Sequence, residues 1–327
     1  MKHTILGGTG LRVSRLCVGC MSFGGPDAKG FEWTRSYDDS KKIIDRAVDL
    51  GIDFFDTADV YSNGKSEQIV GKALQGRRDE VVIATKVGLP TGDGPDDRGL
   101  GRKHVMHNLK RSLENLKTDR VDLYQIHRWD YGTPIEQVLK TLTEAVRKMK
   151  AVDHIGSSSM WAWQFAKALR ASDELGLERF KTMQNHYNLA YREEEREMIP
   201  LCREEGVPLL PWSPLGRGFL TGRYRRKSTP ASVRYEKDRY LKGRYFHPED
   251  FDVVERLVEV AKEKGVKPSQ LALAWLLSKK AVASPIIGPT KVEQLEELVE
   301  AVDISLKQAD IKRLEEPYRP HPVLGHE

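Results

Sequence analysis

The sequence predicts an α/β fold: a closed (β/α)8 barrel with an N-terminal β-hairpin and long loops on the C-terminal face of its strands. Three observations predict it. Eight short runs read as strands, at residues 15–20, 52–56, 81–86, 121–126, 154–158, 182–187, 207–211 and 283–287. Most are apolar on both faces, as in Val81-Val82-Ile83-Ala84, and strands buried on both sides belong to parallel sheets covered by helices. Amphipathic stretches of helical period separate them. Alternation of this kind favours a closed barrel, with an open doubly wound sheet as the rival. The 327 residues suffice for one such barrel and no low-complexity linker divides them, so one domain over 1–327 is expected.

The elements follow in chain order. Residues 4–6 and 11–13 flank Gly7-Gly8-Thr9-Gly10 and read as a hairpin. In 39–50, Ile43, Ala47 and Leu50 share a helical face with Ile44 and Val48, and Gly51 stops the helix. Residues 103–116 place Val105, Leu109, Leu113 and Leu116 at helical spacing. The stretches 134–148, 161–175, 194–205 and 291–301 repeat the pattern, with Pro134 suited to a first turn. Residues 213–250 are rich in Arg, Tyr, Lys and Gly without a clean period and read as a long loop. The tail 317–327 holds three prolines and reads as irregular.

Composition narrows the function classes. Hydrophobic residues at 39% permit a large core, which excludes disorder as the main state. Fifty-three basic against 48 acidic residues give a mild +5 spread along the chain, unlike the clustered footprint of a nucleic-acid binder. The longest apolar run, Leu271 to Leu277, falls far short of the ~20 residues that span a membrane. The N-terminus lacks a secretory apolar core. A soluble, cytoplasmic protein is expected, without membrane or nucleic-acid partners; an oligomer stays open. Cys17, Cys20 and Cys202 are too few for a disulfide framework. Three residues apart on a strand, Cys17 and Cys20 point to opposite faces and read as buried structural residues. His104 and His107 lack a third ligand and read as an exposed helix face, so no metal is expected. The basic run Arg223 to Lys227 reads as a solvated loop or a flap.

The chemistry gathers at strand ends. No G-x-G-x-x-G occurs, so any dinucleotide must bind without a Rossmann turn. Asp56, Lys86 and His127 each end a predicted strand, and Tyr61 follows in the loop after Asp56. In a barrel those ends share one mouth, where such folds place catalysis. Carbonyl reduction needs a hydride to carbon and a proton to oxygen. A Tyr hydroxyl can deliver that proton, and a buried Lys beside it is expected to lower its pKa from about 10. Asp56 would hold Lys86, and His127 would orient the substrate oxygen.

The Asp56–Tyr61 block, Thr85-Lys86 and Gln125-Ile126-His127 resemble the aldo-keto reductase superfamily, nearly from end to end of the chain. His127-Arg128-Trp129-Asp130 and the run Ser158 to Phe165 resemble its aryl-alcohol dehydrogenase-like branch. The resemblance implies a (β/α)8 barrel, NADPH as cofactor with NADH possible, a small carbonyl substrate, and an Asp56/Tyr61/Lys86/His127 tetrad. It further implies that Ser158, Ser159 and Gln184 hold the nicotinamide carboxamide and that Trp212 stacks on the ring. Ser213, Leu215, Gly216 and Arg217 would run along the pyrophosphate. Gly288, Thr290, Lys291, Gln294 and Glu297 would surround the adenosine phosphate. Met149 to His154 departs from the family's usual lead into the fifth strand, and Leu298 stands where relatives often carry Asn. Gln294 replaces a usual Arg, so NADPH preference rests mainly on Lys291. Trp33, Trp129 and Trp161 lie in loops after the first, fourth and fifth strands and are candidates for a substrate wall suited to an aromatic or apolar aldehyde. A nicotinamide-binding regulatory or scaffolding subunit is the alternative reading.

Overall fold

A computed structural model of the chain describes residues 1–25, 33–226, 228 and 239–326. It opens on the expected hairpin, β1 (His3–Ile5) against β2 (Arg12–Ser14), paired antiparallel with His3 opposite Ser14. Leu6 N–H bonds Leu11 C=O at 2.8 Å to close the turn. Gly7 is left-handed, and a Cβ there would meet Pro208 at 2.6 Å, so the hairpin lies hard against the body. Leu6 and Val13 pack with Cys17, Phe54, Val82, Leu123, Leu210 and Ile286 in one apolar cluster. The hairpin thus plugs the barrel's N-terminal end, and strand side chains fill its interior.

The parallel strands are β3 (Cys17–Gly19), β4 (Phe54–Asp56), β5 (Val82–Val87), β6 (Val121–Ile126), β7 (Val152–Ser158), β8 (Met183–Gln184) and β9 (Ile286–Ile287). They pair in the order β8-β7-β6-β5-β4-β3-β9. The predicted strand 207–211 forms no continuous ladder. It makes single parallel bridges instead: Leu209 to Met183 and Val282, and Trp212 to His186 and Ile286. Pro208 and Pro211 explain this, because neither has an N–H to donate. Their carbonyls still accept, from Met183 N–H at 3.1 Å and Ile286 N–H at 2.8 Å. The segment therefore joins β8 to β9 and closes the barrel.

The helices are α1 (Tyr37–Asp49), α2 (Lys65–Ala73), α3 (Arg102–Leu116), α4 (Ile135–Arg147), α5 (Ala162–Leu175), α6 (Met198–Glu204), α7 (Arg239–Arg244), α8 (Pro248–Lys264), α9 (Pro268–Leu277), α10 (Val292–Val299) and α11 (Gln308–Glu315). Ser36 caps α1 by accepting Asp39 N–H. Pro134 is the cap residue of α4, one place before the predicted first turn. The predicted helix 194–205 shrinks to α6 after a 3-10 turn, Glu193–Glu195. Pro200 sits in the first turn of α6, where its missing N–H costs nothing; an earlier start would bury it mid-helix. The predicted loop 213–250 contains a 3-10 segment (Gly216–Thr221), α7 and the start of α8. Lys227 and 229–238 of that stretch lie outside the described residues. The tail 317–326 has no helix or strand, as expected.

Cys17 lies inside the barrel and Cys20 in the outer layer, both buried as expected, although Cys20 begins a 3-10 turn (Cys20–Ser22) after β3 rather than ending the strand. His104 departs from its predicted exposure. It is buried and its Nδ1–H donates to Asp96 C=O at 3.0 Å, while His107 stays exposed. Valine and leucine positions of α3 turn His104 inward with Val105. Among the described residues no helix is long and apolar enough to cross a membrane, and no metal-ligand cluster of three occurs.

Helix α2 meets α3 at Gly71, where a Cβ would lie 2.4 Å from the Leu116 carbonyl carbon and oxygen. The obstacle is backbone and cannot swing aside. Gly71→Ala should therefore destabilise the protein by about 1–3 kcal/mol in urea unfolding, despite alanine's better helix propensity. A variant as stable as the parent would show that α2 slides freely on α3.

Candidate active site

Asp56 ends β4, Lys86 lies in β5, and His127 follows β6, so the three side chains meet at the C-terminal mouth. Tyr61 opens a 3-10 turn (Tyr61–Gly64) in the loop after β4. Ser62, Asn63 and Gly64 in that turn are all left-handed, with φ of 48°, 56° and 87°. Two non-glycine residues there hold backbone strain of about 1–3 kcal/mol each. The turn lies close against Gly24, where a Cβ would collide with the Ser62 side chain.

Lys86 is fully buried and its ammonium spends all three protons. Nζ donates to Asp56 Oδ1 at 2.5 Å, to Thr57 C=O at 2.7 Å and to the Tyr61 hydroxyl at 3.3 Å. The other oxygen of Asp56 accepts from Gln125 Nε2 at 3.0 Å and Gln184 Nε2 at 2.9 Å. His127 sets its ring edge-on to Tyr61 at 5.8 Å. The four predicted residues thus form one cluster.

Charge in this cluster departs from the sequence expectation at one point. Burial pushes the Tyr61 phenol above its usual pKa, and the opposing pull of Lys86 and Arg128 does not reverse it. Tyr61 is therefore an acid at neutral pH rather than a phenolate. Burial also pulls the Lys86 ammonium down, yet Asp56 and Tyr61 outweigh it and the net shift is upward. His127 is held well below the ordinary histidine range by burial, then by Arg128 and Lys86. It is a neutral imidazole. Such a mouth can donate a proton from Tyr61 and polarise an oxygen with His127 without proton exchange at the histidine.

The sign of the pH dependence follows. An unfolded imidazole takes a proton below about pH 6.5, and folded His127 does not. Its contribution is present above that value and is lost as pH falls. Relative to His127→Phe, the parent's unfolding free energy should drop by about 1.4 kcal/mol per pH unit below 6.5. Equal pH slopes for the two proteins in urea titrations would mean that His127 titrates normally.

The predicted cofactor residues fall on neighbouring elements. Ser158 Oγ donates to Gln184 C=O at 3.0 Å, and Ser159 is left-handed at φ 39°. Gln184 spends its amide on Asp56 and on Gln125 (3.1 Å), which leaves its carbonyl oxygen for a ligand. Trp212 donates from Nε1 to Ser159 Oγ at 2.9 Å. Ser213 (φ 51°), Gly216 (55°), Arg217 (56°) and Gly218 (96°) make a run of left-handed backbone, a conformation that turns N–H groups toward anions. Arg128, Arg217 and Arg244 converge near Trp212, since all three bear on the buried His186 stacked against it. This donor set fits a flat aromatic group joined to phosphates. Gly288 and Lys291 are exposed before α10, and Thr290 donates to Gln294 Oε1. Glu297 is held by Lys267 at 2.7 Å and by Ser269. Leu215 is half-buried and packs against the outer core.

The three wall candidates each have a different neighbour. Trp33 lies near the Arg217 guanidinium, at 5.9 Å. Trp129 pairs with Trp163 at 6.3 Å, and Trp161 meets His326 edge-on at 4.8 Å. The sequence reading missed Gln125, His186, Arg244 and the tail. Gln125 was legible: it sits two residues before His127 on one strand, hence on the same face. The tail carried no periodic signal. Yet Gly325 lies against Trp212, and His326 bonds Glu194 at 3.1 Å.

The sequence matches the aldo/keto reductase family over residues 15–319. The chain belongs to the aldo/keto reductase family. It is 38% identical to a versiconal hemiacetal acetate reductase of Aspergillus parasiticus, across 99% of this chain and 98% of the relative. It is also 38% identical to a putative aryl-alcohol dehydrogenase of Schizosaccharomyces pombe, across 98% and 96%. An uncharacterized oxidoreductase of Bacillus subtilis matches at 38% across 96% and 95%. Membership makes the chain an oxidoreductase on a (β/α)8 barrel. It places it among enzymes that act on small carbonyl compounds with nicotinamide cofactors.

Proposed function

We propose that this aldo/keto reductase reduces aldehydes and ketones with NADPH, reversibly, and is active as one cytoplasmic domain over 1–327. The observation behind the proposal is the Tyr61 hydroxyl at 3.3 Å from the Lys86 ammonium, with neutral His127 alongside. Tyr61 gives its proton to the carbonyl oxygen. Lys86, fixed by Asp56, stabilises the phenolate left behind. His127 donates to the same oxygen and aims the carbonyl.

The residues that would hold the cofactor are Ser158, Ser159 and Gln184 at the carboxamide and Trp212 at the ring. Ser213, Leu215, Gly216 and Arg217 would follow the pyrophosphate. Gly288, Thr290, Lys291, Gln294 and Glu297 would meet the adenosine phosphate, with Lys291 favouring NADPH over NADH. When bound, the reduced nicotinamide supplies the hydride. Trp33, Trp129 and Trp161 favour an aromatic or apolar carbonyl, and a relative named as an aryl-alcohol dehydrogenase supports that class.

The test is oxidation of NADPH and of NADH over aromatic, aliphatic and sugar aldehydes. Turnover highest with NADPH and aromatic aldehydes is expected. No turnover with any carbonyl, by a protein that binds the nucleotide, would overturn the enzymatic reading.

A further inference from the structure

We propose that His186 is a positioning residue of the cofactor platform, an imidazole that fixes the plane of Trp212 by stacking on the face turned from the ligand. This rests on the reading that Trp212 meets the nicotinamide. The backbone brings the two side chains together. His186 and Trp212 face each other across a parallel bridge, and Trp212 N–H donates to Asn185 C=O at 2.8 Å. Directly opposed residues of adjacent strands project to the same side.

The rings form a stack of three. His186 lies 4.2 Å from Trp212 at 10° between planes, and Tyr191 lies 4.1 Å from His186 at 12°. Both faces of the imidazole are covered. Its edge is held as well. Tyr245 Oη lies 2.6 Å from His186 Nε2 and accepts from Asn188 Nδ2 at 3.0 Å. Because the phenol already accepts from Asn188, its own proton turns to Nε2. Asn188 also donates to Ser213 C=O at 2.9 Å, which ties the ring stack to the predicted pyrophosphate loop.

Trp212 is thereby constrained in two directions. The bond from Nε1 to Ser159 holds the indole in its plane. The imidazole sets its height and tilt. A face with a parallel ring at 4.2 Å has no room for another group above it, so the Arg244 guanidinium, 4.8 Å from the Trp212 centroid, takes the opposite face. The planar guanidinium marks what that outer face accepts, and a nicotinamide stacked there would displace it. Burial, then Arg244, Arg128 and Arg217, keeps His186 unprotonated. A charged ring there would repel the three guanidinium groups beside the phosphate loop.

The experiment titrates NADPH by its fluorescence against four variants. His186→Ala removes the ring and should weaken NADPH binding about three- to tenfold, the range of one aromatic pair. It should lower kcat at saturating cofactor and leave the KM for the carbonyl unchanged. His186→Phe restores a flat ring without the nitrogen and should bind within about twofold of the parent. His186→Leu keeps bulk without the flat ring and should lose affinity as alanine does, so it decides the matter if the alanine variant does not fold. Trp212→Ala calibrates the platform. Unchanged binding in His186→Ala or His186→Leu, with Trp212→Ala impaired, would overturn the role of His186 alone. Equal losses for phenylalanine and leucine would also overturn it, assigning His186 to the Tyr245 hydrogen bond instead. Unchanged binding in Trp212→Ala would remove the platform itself, which is a separate failure.

Discussion

Tyr61→Phe should lower carbonyl reduction by about 10²- to 10⁴-fold while nucleotide affinity and fold persist. The phenol oxygen accepts from Lys86 at 3.3 Å, so its own proton points away from the ammonium and can serve a ligand. Phenylalanine keeps the ring edge-on to His127 and removes only that oxygen. Lys86 retains Asp56 and Thr57 as acceptors, so the loss of stability should be about 1 kcal/mol. The direction of the Tyr61 shift adds a second readout. Burial keeps the phenol protonated through neutral pH, so reduction should be flat from about pH 6 to 8 and fall only in base. Alcohol oxidation needs the phenolate and should climb over the same range. Rates measured in both directions against pH check this. Reduction by Tyr61→Phe within tenfold of the parent would remove Tyr61 as the acid.

Much of this site could be read from the sequence because barrel strands write their ends plainly. Asp56, Lys86 and His127 follow apolar runs, and a closed barrel leaves such ends only one mouth to share. The hairpin was equally plain, since glycines at positions 7 and 10 supply the left-handed turn that side chains resist. Other features were not local. Strand 207–211 has the apolar content of its neighbours, but two prolines reduce it to single bridges, and only the partners reveal which bonds survive. Helix α9 is buried on every side, so no amphipathic stripe marked it. The charge on Tyr61 depended on a contest between burial and Lys86 that residue types cannot settle. The tail's contacts, such as His321 with Asp250 at 2.6 Å, join residues 71 positions apart.

Lys86→Met should be the most destabilising of the site variants. Lys86 and Asp56 are buried together, and removing one partner of such a pair costs about 3–5 kcal/mol because the other charge stays in place. Among the described residues Asp56 would keep the amides of Gln125 and Gln184. Pairing the change with Asp56→Asn removes the stranded charge, so the double variant should recover most of the stability in urea unfolding. Activity should not recover with it. The phenolate formed after proton transfer would lack the ammonium bonded to its oxygen in either protein, and alcohol oxidation, which starts from that phenolate, should suffer more than reduction. Stability and catalysis therefore separate: the first depends on balancing charge within the barrel, the second on having an ammonium at the Tyr61 oxygen. A double variant that regained turnover along with stability would show that Lys86 serves the fold and not the phenol.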